Sequence, residues 1–258
     1  MSMLWLRRWL HQRPHDLTFM TVANQVQTTL NFTAMPTAEE YTAAVEDYAK
    51  AIYALEHGGE QAVGTSALAR RMAVSAASAS AMVKRLAELG LVEHVPYHGV
   101  RLTPGGARLA LEVIRHHRLL ETYLAEHLGV PWDRVHAEAE VLEHALSEEL
   151  EELIAAKLGY PTHDPHGDPI PDADLRIDEL PGQPLTALKP GARGVLARVS
   201  DSDPAMLRYL GDLGIALGDP VEVLAVQPFD GPIELRVGDA VHVLGGSLAA
   251  AMRIEVDG

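Results

Sequence analysis

Cysteine is absent from this 258-residue chain. That excludes disulfide scaffolds, cysteine-ligated zinc, iron–sulfur clusters and thiol nucleophiles, and it is compatible with a cytoplasmic protein. Long apolar runs are absent too: no stretch approaches the roughly 18 to 20 residues of a membrane span. The opening MSMLWLRRWLHQRPHD carries charges where a secretory signal requires its apolar core, so no membrane partner is expected. Positive charge is in short supply, with 21 Lys and Arg against 36 Asp and Glu and a net charge of -15. Spread evenly, that balance would repel nucleic acid. Apolar residues make up 47% of the chain, too many for a disordered protein and, at this length, enough for two compact domains or three small ones.

The charge is not spread evenly. Between Gly64 and Arg118 eight basic residues face three acidic ones, a local balance of +5, and acid is densest from Leu119 to Pro190. One end of the protein can therefore approach a phosphate backbone that the rest repels. Residues 1–36 show neither caps nor a sustained period and are expected to form a poorly ordered extension, with Met20 and Met35 as alternative starts. From Thr37 a capping-box-like Thr37-Ala38-Glu39-Glu40 opens a helix through Tyr41, Val45, Tyr48, Ile52 and Leu55, closed by Gly58-Gly59.

The next segment predicts a helix-turn-helix. Leu68 and Met72 form the apolar side of a short helix, Ala73-Val74 the turn, and Ser75 the N-cap of a second helix through Met82, Val83, Leu86 and Leu89. Helical hairpins also occur without DNA. The continuation favours DNA, because residues 91–95 and 100–102 read as short strands around Tyr97-His98-Gly99, a β-hairpin wing joined directly to the second helix. Ser78 and Ser80 are small enough to lie close to a groove, and Arg70, Lys84, Arg85 and Arg101 are the candidate backbone contacts.

A long helix follows from about Gly106 to Leu128. Stepping about 100° per residue puts His117 and Glu121 in the middle of its apolar side, where a carboxylate and an imidazole are costly unless satisfied. A hydrogen-bonded core pair would satisfy them, and so would a metal ion. The next helix, Asp133 to Ala145, carries His136, Glu140, Glu143 and His144 along the margin of its apolar stripe. Imidazoles and carboxylates without thiolate suit manganese, ferrous iron or zinc, and the oxygen-rich balance tilts toward manganese. A Ser147-capped helix, Glu148 to Leu158, comes next. Residues 161–184 are too proline-rich for a helix and read as a linker. Alternation at Val221/Val223/Ala225, Ile233/Leu235/Val237 and Val241/Val243 then predicts a small all-β barrel over 185–258.

VEDYAKAIYALE (45–56), the helix-turn-helix and wing, RHHRLLE (115–121), VHAEAEVLEH (135–144) and DPHGDPIP (164–171) together resemble the diphtheria-toxin-repressor family of metal-dependent transcriptional regulators, in its three-domain form, over residues 37–258. The resemblance implies a mainly α protein. Its parts would be a winged helix-turn-helix DNA-binding domain (37–104), a helical metal-binding and dimerisation domain (105–160), the linker (161–184) and a C-terminal SH3-like module (185–258). It implies a primary metal site on Asp47, Glu140, Glu143 and His144; iron-responsive members carry methionine and cysteine at the positions of Asp47 and Glu140, manganese-responsive members the hard oxygen donors found here. It also implies an ancillary site on His117, Glu121 and His136, completed from the SH3-like module, where Asp203 matches one ligand and the other falls near Met206. Manganese-type members pair a second ion using a carboxylate one turn after the aspartate. Lys50 stands there in this chain, which favours two separated sites.

The expected protein is a cytoplasmic homodimeric regulator, without enzymatic activity, repressing genes of metal homeostasis. Its affinity for a palindromic operator in double-stranded DNA would rise when Mn(II), or less selectively Fe(II), binds. The alternatives are a metal-independent winged-helix regulator and a metallohydrolase, and for the latter no third motif supplies a substrate pocket.

Overall fold

The computed structural model describes residues 41–59, 62–95, 97–229 and 231–257. The expected extension 1–36 and the capping box at 37–40 lie outside the described residues. Helix α1 (Ala43–His57) starts after Thr42 and buries Val45, Tyr48, Ala49 and Ile52, one stripe of a 3.6-residue period. Helix α2 (Thr65–Arg71) turns into α3 (Ala76–Glu88), whose Ser75 cap accepts a hydrogen bond from the Ser78 N–H. α3 buries Ala79, Val83 and Leu86. Its other side, with Ala76, Ala77, Ser78, Ser80, Lys84 and Arg85, faces solvent. Strands β1 (Val92–Val95) and β2 (Gly99–Leu102) pair antiparallel as the wing, Glu93 opposite Arg101. Ile52, Leu68, Leu86 and Leu91 are fully buried in the core beneath, each worth about 1.5–3 kcal/mol of apolar burial.

Helix α4 (Pro104–Leu128) is the spine. Thr103 caps it, Pro104 fills its first position where no N–H is needed, and Gly129 ends it in the left-handed conformation. Leu109, Ala110 and Val113 of its first half complete the winged-helix core. Leu119 and Leu120 of its second half join a separate core with Ala139, Ile154, Ala155 and Ile170. One continuous helix thus belongs to two cores, and His117 and Glu121 sit where they meet. Helix α5 (Val135–Leu142) runs into a single 3₁₀ turn, Glu143–Ala145, and α6 (Glu148–Leu158) begins at the Ser147 cap.

Residues 161–184 contain no helix, as the prolines require, but the first half is not a free linker. Asp164, His166, Asp168 and Ile170 are buried. The turn lies against β4 (Arg193–Val199): the Val199 N–H donates to the His166 carbonyl at 2.9 Å. A Cβ on Gly167, where φ is +86°, would stand 2.0 Å from the Ala197 carbonyl oxygen, so only glycine fits.

The C-terminal module is a six-stranded antiparallel sheet in the order β3-β8-β4-β5-β6-β7, comprising β3 (Gln183–Pro184), β4, β5 (Pro220–Val226), β6 (Ile233–Val237), β7 (Ala240–Leu244) and β8 (Met252–Val256). Val221, Val223, Ile233, Leu235 and Val237 point into its core as their alternation predicts. Two expectations need correction. The module is not all-β, because α7 (Pro204–Asp212), capped by Asp203, and α8 (Gly246–Ala250) interrupt it and bury Leu207, Leu210 and Leu248. Val241 and Val243 lie exposed on β7, an edge strand, and Leu244 is its buried residue. Among the described residues no helix is long and apolar enough to cross a membrane.

Candidate metal centre

The helix periods dictate which side chains meet. On α1, Glu46, Asp47 and Lys50 face the 3₁₀ turn, where the chain tightens after α5 and turns Glu143 and His144 inward. His144 Nε2 lies 2.9 Å from Asp47 Oδ1 and 3.5 Å from Glu143 Oε1, while its Nδ1 stands 2.5 Å from Glu46 Oε2. Ligand-type atoms of Asp47, Glu143 and His144 all fall within 4.8 Å of one another. Glu140, expected in the same set, groups instead with His117 and Glu143. Between Glu140 and Glu143 sits the ammonium of Lys50, 2.7 Å from Glu140 Oε1 and 2.5 Å from Glu143 Oε1.

Glu143, its side chain fully buried, joins two clusters: its second oxygen contacts His117 Nδ1. His117 Nε2 lies 2.9 Å from Glu121 Oε1 and 3.0 Å from His136 Nδ1. The carboxylate that the SH3-like module adds is Asp201, whose Oδ2 is 3.0 Å from His136 Nδ1. The expected Asp203 is not there, because its carboxylate accepts from the Ala205 N–H and caps α7. On the far side of Glu121 lie Asp164 and His166, which with Glu121 form a further group of ligand-type atoms within 4.8 Å. The His166 ring is fixed by its Nε2, 2.7 Å from the Trp132 carbonyl, and Asp164 accepts from the His166 and Asp168 N–H groups. Sequence reasoning missed Glu46, Asp164, His166 and Asp201 as members. The DPHG turn carried a signal for two of them, since a buried Asp-x-His is costly without a partner.

The electrostatics suit a cation. Burial raises Asp47 above the usual carboxylate range. Burial opposes charge on His117, yet contacts with Glu121 and Glu143 outweigh it and lift the imidazole to about 9. His136 is lifted to about 10, first by Asp201 and then by Glu121. His166 reaches about 9, because Glu121 overcomes its burial. Glu121 and Glu143 are held below the usual range despite burial, by His117 with His136 in the first case and by His117 with Lys50 in the second. Lys50 is likewise desolvated, and the two glutamates keep it charged. Glu121 Oε2 and His166 Nδ1 are buried without a hydrogen-bond partner, and Asp47 Oδ1, also buried, has only its 2.9 Å ion-pair contact with His144 Nε2 and no aligned hydrogen bond. Unpaired carboxylate and imidazole atoms in a thiolate-free donor set fit a divalent cation of the manganese, iron or zinc kind.

The surface on α3 is simpler. Ser78, Ser80, Arg70, Lys84, Arg85 and Arg101 are all exposed, and Arg85 lies 3.9 Å from Glu88. Two basic residues counted in the local +5 are used internally. Arg115 pairs with Glu151 and donates to the Pro171 carbonyl, and Arg118 binds the Pro169 carbonyl and lies 3.4 Å from Asp168.

Three family models match the chain: the iron dependent repressor N-terminal DNA binding domain over residues 40–100, the iron dependent repressor metal binding and dimerisation domain over 103–172, and the FeoA domain over 183–256. The iron-dependent repressor IdeR of Mycobacterium tuberculosis is 35% identical over 232 residues, covering 84% of this chain and 98% of that protein. The diphtheria toxin repressor of Corynebacterium diphtheriae is 31% identical over 224 residues, covering 81% and 96%. Among solved structures, a manganese-dependent transcriptional repressor in complex with manganese is 45% identical with a TM-score of 0.77, covering 83% of this chain and all of that one. The manganese regulator SloR is 32% identical with a TM-score of 0.70, covering 83% and 98%.

Proposed function

This chain belongs to the iron-dependent repressor family, whose members are metal-dependent DNA-binding transcriptional regulators and not enzymes, and from that premise we infer a cytoplasmic Mn(II)-responsive repressor that answers less selectively to Fe(II). The observation that carries this is the meeting of Asp47 with Glu143 and His144. Asp47 stands on α1, which is part of the winged-helix core, while the other two follow α5 of the helical unit. A donor set drawn from both units links their relative position to occupancy.

Asp47, Glu143 and His144, with Glu140 adjoining, would hold the primary ion, and hard oxygen donors favour Mn(II). His117, Glu121, His136 and Asp201 would form the ancillary site, with Asp164 and His166 extending it around Glu121. The ion supplies positive charge that offsets the repulsion among these carboxylates. The protein's own residues do the rest. Asp47 fixes α1 against the 3₁₀ turn, and α1, packed with α3 in the winged-helix core, passes that constraint to α3. There Ser78 and Ser80 approach the groove while Arg70, Lys84, Arg85 and Arg101 hold phosphates. Occupancy thereby favours the DNA-competent arrangement among those the protein samples.

The dimer is assigned to the outer face of α4, α5 and α6. Leu120, Leu124, Leu146 and Ile154 line an apolar groove there whose rim includes Leu128, 63% exposed, and Leu153, 61% exposed. Two-fold pairing through that face would present two α3 helices to the half-sites of a palindromic operator. A metal-titrated DNA-binding assay across Mn(II), Fe(II), Zn(II) and Co(II) tests the function. Activation by Mn(II) at the lowest free concentration relative to each ion's general affinity order is expected. Affinity indifferent to every ion would return the protein to metal-independent regulation.

A further inference from the structure

The Lys50 ammonium stands among three groups that, without it, would form a cation site of their own. Its Nζ lies 2.7 Å from Glu140 Oε1 and 2.5 Å from Glu143 Oε1, and ligand-type atoms of His117, Glu140 and Glu143 fall within 4.8 Å of one another. We propose that Lys50 is a built-in cation, occupying by its ammonium the place a second divalent ion would take beside Asp47, Glu143 and His144, and so restricting that centre to one metal ion per chain. The proposal rests on the assignment of Asp47, Glu143 and His144 as the primary site.

Three features support it. First, Glu143 Oε1 is shared, 2.5 Å from the Lys50 ammonium and 3.5 Å from His144 Nε2, while Oε2 rests against His117 Nδ1. A carboxylate in that position is placed to bridge two cations, and one of the two is already covalently attached to the chain. Second, the Glu143 side chain is fully buried, and a buried carboxylate requires a counter-charge to be kept ionised. Lys50 provides one on every molecule, whatever the metal supply. Third, Lys50 follows Asp47 by three residues on α1, so both project from the same face of the helix. α1 thus offers the opposing turn one anion, able to share a metal ion, and one cation, able to replace one. A second divalent ion would have to expel the ammonium from between two carboxylates and accept its charge close by, which like-charge repulsion opposes.

The test compares the full chain with Lys50→Met, which keeps the stem and removes the charge, and with Lys50→Arg, which keeps the charge. Mn(II) bound per chain is measured by equilibrium dialysis, and spin coupling between neighbouring ions by electron paramagnetic resonance. Lys50→Met is expected to bind one more Mn(II) per chain than the wild type and to show a coupled two-ion spectrum, while Lys50→Arg keeps the wild-type stoichiometry with no coupling. Should Lys50→Met fail to fold, Lys50→Gln replaces it, since its amide can donate to the same carboxylates, and the same gain is expected. Unchanged stoichiometry without coupling in the uncharged variant, or a coupled pair in the wild type, would overturn the proposal. His144→Ala is read in parallel: Mn(II) binding unaffected by that substitution would refute the primary-site assignment, whereas the gain on removing the Lys50 charge reports on the ammonium alone.

Discussion

Asp201, in the SH3-like module, places its Oδ2 3.0 Å from Nδ1 of His136 on α5, so the C-terminal module touches the polar centre through one carboxylate. That contact lowers Asp201 to about 2 in spite of its burial. Asp201→Asn should weaken the ancillary site and raise the Mn(II) concentration for half-maximal DNA binding by about 10-fold or more, the usual scale for a ligand-supporting group. Asp203→Ala should leave that midpoint unmoved and lower stability by about 1 kcal/mol through the lost cap of α7. Mn(II) titrations of DNA binding, with thermal unfolding of both variants, separate the two. A midpoint that moves for Asp203→Ala and not for Asp201→Asn would reverse the assignment.

His144→Ala and Glu143→Gln should each abolish Mn(II)-stimulated DNA binding while leaving a folded protein. The Glu143 substitution should also release His117 from part of its upward shift, because one of its two carboxylate partners loses its charge. NMR titration of the His117 ring reports the second effect independently of DNA. A His117 pKa unchanged in Glu143→Gln would show that Glu121 alone governs it.

The basic residues divide by location. Lys84→Ala and Arg85→Ala should each lower the slope of log affinity against log salt by about 0.9. Arg115→Ala should not change the slope, and should destabilise the fold by about 1.5–3 kcal/mol, since it removes the charged contacts to Glu151 and the Pro171 carbonyl while His116, 2.8 Å from the other Glu151 oxygen, keeps that carboxylate paired. Binding isotherms at four salt concentrations, together with denaturant unfolding, distinguish surface contacts from the internal strut.

The histidine shifts fix the sign of the pH response. His117, His136 and His166 are raised from 6.5 to about 9, 10 and 9 in the folded, metal-free protein. Their protonation therefore stabilises the fold fully below about pH 6.5, and that contribution is lost as pH rises through 9 to 10. A metal ion needs the imidazoles neutral, so its binding at the ancillary site must expel protons, and affinity should rise with pH. Calorimetry at pH 7.5 in two buffers of different ionisation enthalpy should record proton release upon Mn(II) binding. Identical heats in both buffers would contradict the protonated resting state.

Much of this architecture was legible because it depends on local rules. Ser75 and Ser147 are side-chain caps, Gly129 is a left-handed stop, and Val83 and Leu86 keep a helical stripe. His117 and Glu121 stood out because their period placed them on an apolar face. What escaped depends on tertiary placement. Asp203 and Asp201 are two residues apart, and only the direction of the chain entering α7 decides which one caps and which one reaches His136. The DPHG turn looked like linker because proline forbids helix, yet Gly167 lets it pack against β4 and delivers His166 to Glu121. α7 was missed within a β pattern, although Asp203-Pro204 and the Leu207/Leu210 pair are ordinary helix-start and core signals.

The central claim is that Asp47 converts metal occupancy into DNA affinity. It is tested most directly by measuring operator affinity of the wild type and of Asp47→Ala, each without metal and with saturating Mn(II). The wild type should bind far more tightly with Mn(II), and Asp47→Ala should bind alike in both conditions even where dialysis shows Mn(II) still held by the remaining ligands. Equal affinity of the wild type with and without Mn(II), or a full Mn(II) response in Asp47→Ala, would contradict it.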